Sequence, residues 1–298
     1  MRGLPFLLIS AIAAQAPQGR PTFTSGTDLV VVHVSVVDRQ AGFVAGLPRE
    51  SFAISEDGHP RPIAFFENED TPVTVGMVID SSQSMARRRE AVIAAGLAFA
   101  ESSHPDDELF TINFNERVWP GLPDGQPFTR DRAELRQALL RSTARGQTAL
   151  FDALTAALGH LDGGSCARKI LLVVSDGGDN ASRARFEDVL DAALRHDVVI
   201  YTIGVADAND GDARPDVLKK LSEVTGGEAF FPKSNAQIGP VLERIAHDIR
   251  SSYTLGYVPD GGHRDGVARR IRVDVHSGDR RKLAVRARTL FIAPGARP

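Results

Sequence analysis

The chain has 298 residues, 42% of them hydrophobic and 24% charged, with a formal net charge of −3. This is ordinary globular usage, with enough chain for one large domain or two modest ones, and it excludes global disorder. No basic footprint is present, which excludes nucleic acid as the main partner; the one tight basic cluster, Arg87-Arg88-Arg89, reads as a solvated face at a helix start.

The N-terminus reads as an export signal over residues 1–16. Arg2 is a short positive region, "LPFLLISAIAA" is an apolar stretch, and Ala11, Ala13, Ala14 and Ala16 offer small-residue cleavage positions. The apolar stretch is too short to span a bilayer, and no other stretch approaches that length. A secreted or periplasmic address with no membrane span in the mature chain is therefore expected. Cys166 is the only cysteine, so no intramolecular disulfide forms, and it reads as a small packing residue before a strand.

From residue 22 to 70 the chain reads as β structure. "DLVVVHVSVVD" is rich in β-branched residues, and "SFAISEDG" reaches an Asp57-Gly58 turn before "PIAFFE". Residues 72–250 change rhythm. "VTVGMVID", "ELFTINF", "KILLVVSDG" and "VVIYTIGV" are nearly continuous apolar runs separated by helical patterns, as in a parallel sheet covered on both faces. Residues 252–298 return to alternating strands: "SYTLGYV", "RRIRVDVH" and "KLAVRAR". The expected fold is α/β, a doubly wound, mostly parallel, Rossmann-like sheet. The flanking β segments are each small, and they are expected to pair into one β-sandwich into which the α/β domain is inserted.

One apolar run stops unusually. "VIDSSQSM" ends a strand in Asp80 followed by Ser82 and Ser84, spaced so that an extended segment projects all three to one side. A second strand ends in Asp176, and Thr148 stands at a loop-to-helix junction between them. Open α/β sheets form ligand sites at the carboxyl ends of their strands. If the two strands are neighbours, Asp80, Ser82, Ser84, Thr148 and Asp176 converge from three loops. Two carboxylates and three hydroxyls form a hard ligand set, which selects Mg²⁺, Mn²⁺ or Ca²⁺; few ligands plus waters suits Mg²⁺ best. The competing reading makes them plain helix caps, with Ser and Asp before a helix satisfying its orphan N–H groups and Thr148 capping its helix likewise.

"DSSQSM", "GQTALFDAL" and "SDGGD" together resemble the D-x-S-x-S … T … D pattern of von Willebrand factor type A domains, over roughly residues 72–250. The flanks "GLPRESFAISEDGHPRPIAFFE", "SSYTLGYVPD" and "LAVRARTLFIAP" resemble those of a bacterial group of secreted proteins related to that domain. The resemblance implies a metal-ion-dependent adhesion site. Ser82 and Ser84 would bind the ion directly, as would Thr148 when the site is engaged. Asp80 and Asp176 would act largely through water or hydrogen bonds. Gln83 and Gln147 stand where the family often has Gly; with Asp179, Asp207 and Asp210 they are candidates for the partner-binding rim.

The implied function is non-enzymatic, metal-dependent protein binding or adhesion, in which a partner's Asp or Glu carboxylate completes the ion's coordination. The alternative is an envelope or secretion-associated scaffold that uses the site internally. A metal-dependent phosphotransfer enzyme with Asp80 as nucleophile is disfavoured, because such sites carry a second Asp where Ser82 stands. The eight histidines show no metal-binding spacing, and no P-loop or nucleophile elbow is present. The acidic loop at 206–216 resembles a calcium loop with its glycine misplaced and no closing Glu, so it reads as a solvated turn.

Overall fold

The computed structural model describes residues 29–38, 42–68, 70–141, 144–206, 211–259, 266–276 and 283–293. The export-signal segment, Asp207 and Asp210 lie outside the described residues.

The N-terminal part forms strands β1 (Val30–Asp38), β2 (Gly42–Phe43), β3 (Phe52–Glu56), β4 (His59–Arg61) and β5 (Ile63–Glu67). Next come β6 (Val73–Asp80), α1 (Arg89–Ser102), β7 (Glu108–Phe114), β8 (Val118–Pro120), α2 (Arg132–Leu140) and α3 (Leu150–Leu161). The central part continues with β9 (Arg168–Ser175), α4 (Phe186–Arg195), β10 (Val198–Gly204), α5 (Pro215–Thr225), β11 (Ala229–Phe230) and α6 (Ile238–Ser251). Strands β12 (Tyr253–Tyr257), β13 (Ala268–Val275), β14 (Leu283–Ala287) and β15 (Leu290–Ile292) follow.

The central sheet has the order β11-β10-β9-β6-β7-β8 and is parallel apart from β8, a short antiparallel edge. Every residue of β6, β7 and β10 is buried, the reason their sequences are apolar runs without alternation. One face carries Val75, Met77 and Leu172 against α1 and α6; the other carries Val78, Phe110 and Val173 against α3 and α4. Gly76 has no room for a side chain, since a Cβ there would lie 2.3 Å from the Phe110 ring. After β6 the chain moves to β7 on one side, and later to β9 on the other. Strand order thus reverses between β6 and β9, and a crevice opens at their carboxyl ends.

The two flanking β segments interleave, as expected from the sequence. In one sheet β1 pairs with both β12 and β14, and β5 extends β12; in the other β13 pairs with β3. Val32, Val34, Phe52, Ile54, Tyr253, Leu255 and Ile271 fill a core shared by the two sheets. Helix α6 runs into β12 with only Ser252 between them.

This sandwich packs beneath the amino ends of the central strands. Arg288 reaches Asp197 at 2.9 Å just before β10, and Arg168 at the start of β9 donates to the Ile249 carbonyl at 3.0 Å. Arg286 of β14 pairs with Glu228 and, at 2.5 Å, with Asp248 of α6, which also accepts the Tyr201 hydroxyl at 2.8 Å. The strand carboxyl ends therefore face away from the sandwich.

The basic cluster is more than a solvated face. Arg88 donates to the Ala206 carbonyl and the Asn235 side chain, and Arg89 to the Leu140 carbonyl, so the two latch the start of α1 to neighbouring loops. Helix α1 begins at Arg89, after a 3-10 turn at residues 83–85.

Candidate metal site

Strand β6 delivers Asp80 to the crevice, buried at 3% exposure. Its Oδ1 accepts the Ser82 amide at 2.8 Å and its Oδ2 accepts the Ser175 hydroxyl at 2.7 Å. Burial pushes its carboxyl up to about 6; the nearby Asp176 charge adds to the rise, and the hydrogen bonds from Ser175 and Ser82 oppose it. Ser82 is still extended, with φ −71° and ψ 168°, and the following 3-10 turn then swings Ser84 back toward it. The three oxygens thus meet through one extended residue and one tight turn. Strand alternation alone does not bring Ser84 into place.

Asp176 follows β9 and arrives from the other side of the switch point. Its Oδ2 accepts the Ser84 hydroxyl at 2.7 Å and its Oδ1 accepts the Gly178 amide at 2.9 Å. Gly177 permits this loop: its φ is +87°, and a Cβ would sit 2.5 Å from the Arg214 carbonyl oxygen. Thr148 enters from the third loop, held by its amide donating to Asn180 at 2.9 Å and its carbonyl accepting the Asn180 and Ala181 amides at 3.0 Å.

Ser82, Ser84, Thr148 and Asp176 line a cleft of about 180 Å³, with Asn180 and Asp212 in its wall; Asp80 lies behind this lining, bonded to the Ser82 amide. The Ser82 and Ser84 hydroxyls stand 3.1 Å apart, and Ser84 stands 2.7 Å from Asp176. An octahedral hard cation with bonds of roughly 2.1 Å sets adjacent ligand oxygens about 3 Å apart, so the spacing fits such an ion. The donors are all oxygen. Among the described residues no group of three or more His, Cys, Asp or Glu is placed to hold a metal, so this hydroxyl-rich set is distinct from a soft-metal site.

Of the helix-cap reading, only Asp80 satisfies a backbone amide, that of Ser82; it fails for Ser82 and Thr148. Ser82 precedes the 3-10 turn without a side-chain capping bond, and the residue before α3 is Ala149, not Thr148. Capping of α3 comes instead from Asp179, whose Oδ2 accepts the Phe151 amide at 2.9 Å and the Ser182 hydroxyl at 2.6 Å. Asp179 is thus committed within the chain, while Gln83 and Gln147 are exposed and line the cleft. Asp212 completes the wall.

Sequence reasoning passed over Ser175 and Asn180, which orient Asp80 and Thr148. Ser175 directly precedes Asp176, and on a strand that position normally points to the opposite side; Asn180 directly follows the same short motif, but its target is 32 residues away.

The family model for the von Willebrand factor type A domain matches residues 75–244. Among solved structures, a von Willebrand factor type A protein from Catenulispora acidiphila aligns with TM-score 0.55 at 14% identity, over 92% of this chain and 76% of that one. The vWF domain of the type V pili tip protein Mfa5 from Porphyromonas gingivalis aligns with TM-score 0.51 at 17% identity, over 60% of this chain and 95% of that one. Proximal thread matrix protein 1 from the mussel byssus, in a form with a zinc-occupied MIDAS motif, aligns with TM-score 0.50 at 16% identity, over 65% and 49%. At these identities the likeness is one of fold. Among curated proteins none matches the chain.

Proposed function

Because the chain belongs to the von Willebrand factor type A family, whose domains are commonly protein–protein interaction modules, we propose that it is a non-enzymatic, metal-dependent binding protein. A divalent cation, Mg²⁺ in preference to Mn²⁺ or Ca²⁺, is held by Ser82, Ser84 and Thr148, with Asp80 and Asp176 positioning them and balancing its charge. With neutral hydroxyls as its direct protein ligands, and the two carboxylates acting from outside that set, the ion keeps an appetite for an anionic ligand. It therefore takes a further anionic oxygen from outside, an Asp or Glu carboxylate on a protein partner. One observation carries this reading: the Ser82 and Ser84 hydroxyls stand 3.1 Å apart and the Ser84 hydroxyl lies 2.7 Å from the carboxylate of Asp176, which arrives from a different loop, and Ser82 makes no side-chain capping bond.

Phosphotransfer fits less well, since Asp80 is 3% exposed and each of its oxygens is engaged in a hydrogen bond within the chain, which leaves the carboxylate closed to an incoming phosphoryl group. Export to the cell exterior or periplasm is part of the proposal and rests on residues 1–16. Among the described residues no helix is long and apolar enough to cross a membrane. The test is calorimetric titration of Mg²⁺, Mn²⁺ and Ca²⁺ into the wild type and into Asp176→Ala, followed by partner capture with and without chelator. Saturable binding lost in the variant, with chelator-sensitive capture, is the expected result. Capture that ignores chelator would instead favour the scaffold alternative.

A further inference from the structure

Beside the metal cleft lies a second, larger cleft of about 700 Å³, and Asn180 and Asp212 form a wall common to both. The two differ in what they can accept. The smaller has room for roughly six water-sized groups, enough for a carboxyl with its ion and waters and too little for a ring as well. In the larger, Phe151 at the start of α3 and Phe186 at the start of α4 stand half-buried, ring centroids 5.6 Å apart and tilted by 41°, with Val217 of α5 beside them.

Its charges are largely neutralised within the chain. Arg214 pairs with Asp216 at 3.2 Å, Arg185 with Glu187 at 3.6 Å, and Asp179 is held by Ser182 and the start of α3. Such a lining suits an uncharged side chain. Lys220 is exposed and forms no ion pair among the described residues, so its ammonium is available to stand over an aromatic face. Two Phe rings, which pair favourably in a tilted arrangement, select the same occupant.

We propose that the partner is anchored by two adjacent side chains: the carboxylate that completes the metal site, and an aromatic ring packed against the surface formed by Phe151, Phe186 and Val217. This rests on the metal-dependent binding reading above and specifies its partner. A single acidic side chain on a lone ion gives a weak, unselective contact. A neighbouring ring buried in a preformed pocket is the usual form of a binding hot spot.

The experiment is selection of a random linear-peptide display library on the immobilised full chain, in Mg²⁺ and in chelator, with synthesis and titration of the winning peptides. The expected winners in Mg²⁺ carry Asp or Glu with Phe, Tyr or Trp a few residues away. Replacing the ring by Ala should weaken them roughly tenfold, the scale of burying one ring, and should matter little against the Lys220→Glu and Phe186→Ala variants. Lys220 is on the surface, so its variant tests the cleft even if Phe186→Ala folds poorly. Acidic winners without an aromatic preference would overturn this proposal and leave the metal reading intact. Aromatic winners indifferent to chelator would overturn the coupling of the two clefts, and no winners in either buffer would overturn both readings.

Discussion

The Ser84 hydroxyl donates to Asp176 Oδ2 at 2.7 Å, joining residues 92 apart in the chain. This contact closes the candidate site across the switch point of the sheet. It exists because β6 and β9 are neighbours in register, with Ile79 opposite Val174, so Asp80 emerges beside Ser175 and Asp176 follows one residue further along the same end of the sheet. Removing either group should therefore affect the ion more than the fold. Ser84→Ala and Asp176→Ala are expected to lose saturable Mg²⁺ binding in calorimetry. Both should keep wild-type circular dichroism and lose about 1–2 kcal/mol of stability from the broken hydrogen bonds.

Mg²⁺ should stabilise the wild type, by about 2.7 kcal/mol at a hundred times its dissociation constant, and leave Asp176→Ala unmoved. The increment should depend on pH. The Asp80 carboxyl is raised to about 6 in the folded chain, above its ordinary value of 3.8. Protonation of Asp80 thus favours the folded state below about pH 4, and that gain is lost as the pH rises through 6. Above pH 6 the buried charge is a burden that a cation relieves. Thermal shifts on adding Mg²⁺ should be larger at pH 7.5 than at pH 5, with affinity falling up to about tenfold per unit below 6. Equal shifts at both pH values would count against Asp80 balancing the ion.

His33 of β1 titrates in the opposite sense. It is buried, with Nδ1 3.3 Å from the Thr254 hydroxyl and no hydrogen-bond partner for Nε2 among the described residues. Burial, with Arg168 and Arg288 adding, holds its imidazole well below the usual range. Stability from neutral His33 is complete above the unfolded value of about 6.5 and is lost as the pH falls below it. Between pH 7.5 and 5 the wild type should lose up to about 2 kcal/mol more than His33→Leu, measured by denaturant unfolding.

The junction between sandwich and α/β domain rests on Arg286 against Asp248, whose side chain is 2% exposed. Arg286→Ala removes the arginine paired directly with that buried carboxylate and should cost about 3 kcal/mol. Arg272→Ala, which removes an exposed pair with Asp274 on β13, should change the unfolding midpoint too little to measure.

Truncation after Ser251 would remove β12, the strand between β1 and β5, and with it Tyr253 and Leu255 from the sandwich core. Limited proteolysis should then cleave within residues 29–67, which the full chain protects. Unchanged protection would show that the N-terminal strands hold together without their C-terminal partners.

Much of this architecture was readable from local pattern. Continuous apolar runs such as "VTVGMVID" identify strands buried on both faces, and the alternation in β13 identifies a half-solvated one, because periodicity directly records which faces meet water. The short strands β8 and β15 were missed, each being three residues long and too brief to carry a period. Asp80, Ser82 and Ser84 stood out because they are adjacent in sequence.

Which distant groups meet them was a matter of tertiary structure. That Asp176 accepts from Ser84, that Ser175 turns to Asp80, and that Asp179 caps α3 instead of facing the cleft all follow from strand register and loop packing. The amino-acid sequence by itself determined the strands, the helices and the oxygen-rich strand end, since these depend on neighbours a few residues apart. Only the tertiary structure decided which carboxylates share the cleft and which are consumed in holding it, because hydrogen-bond partners 28 to 95 residues apart are chosen by the packed sheet.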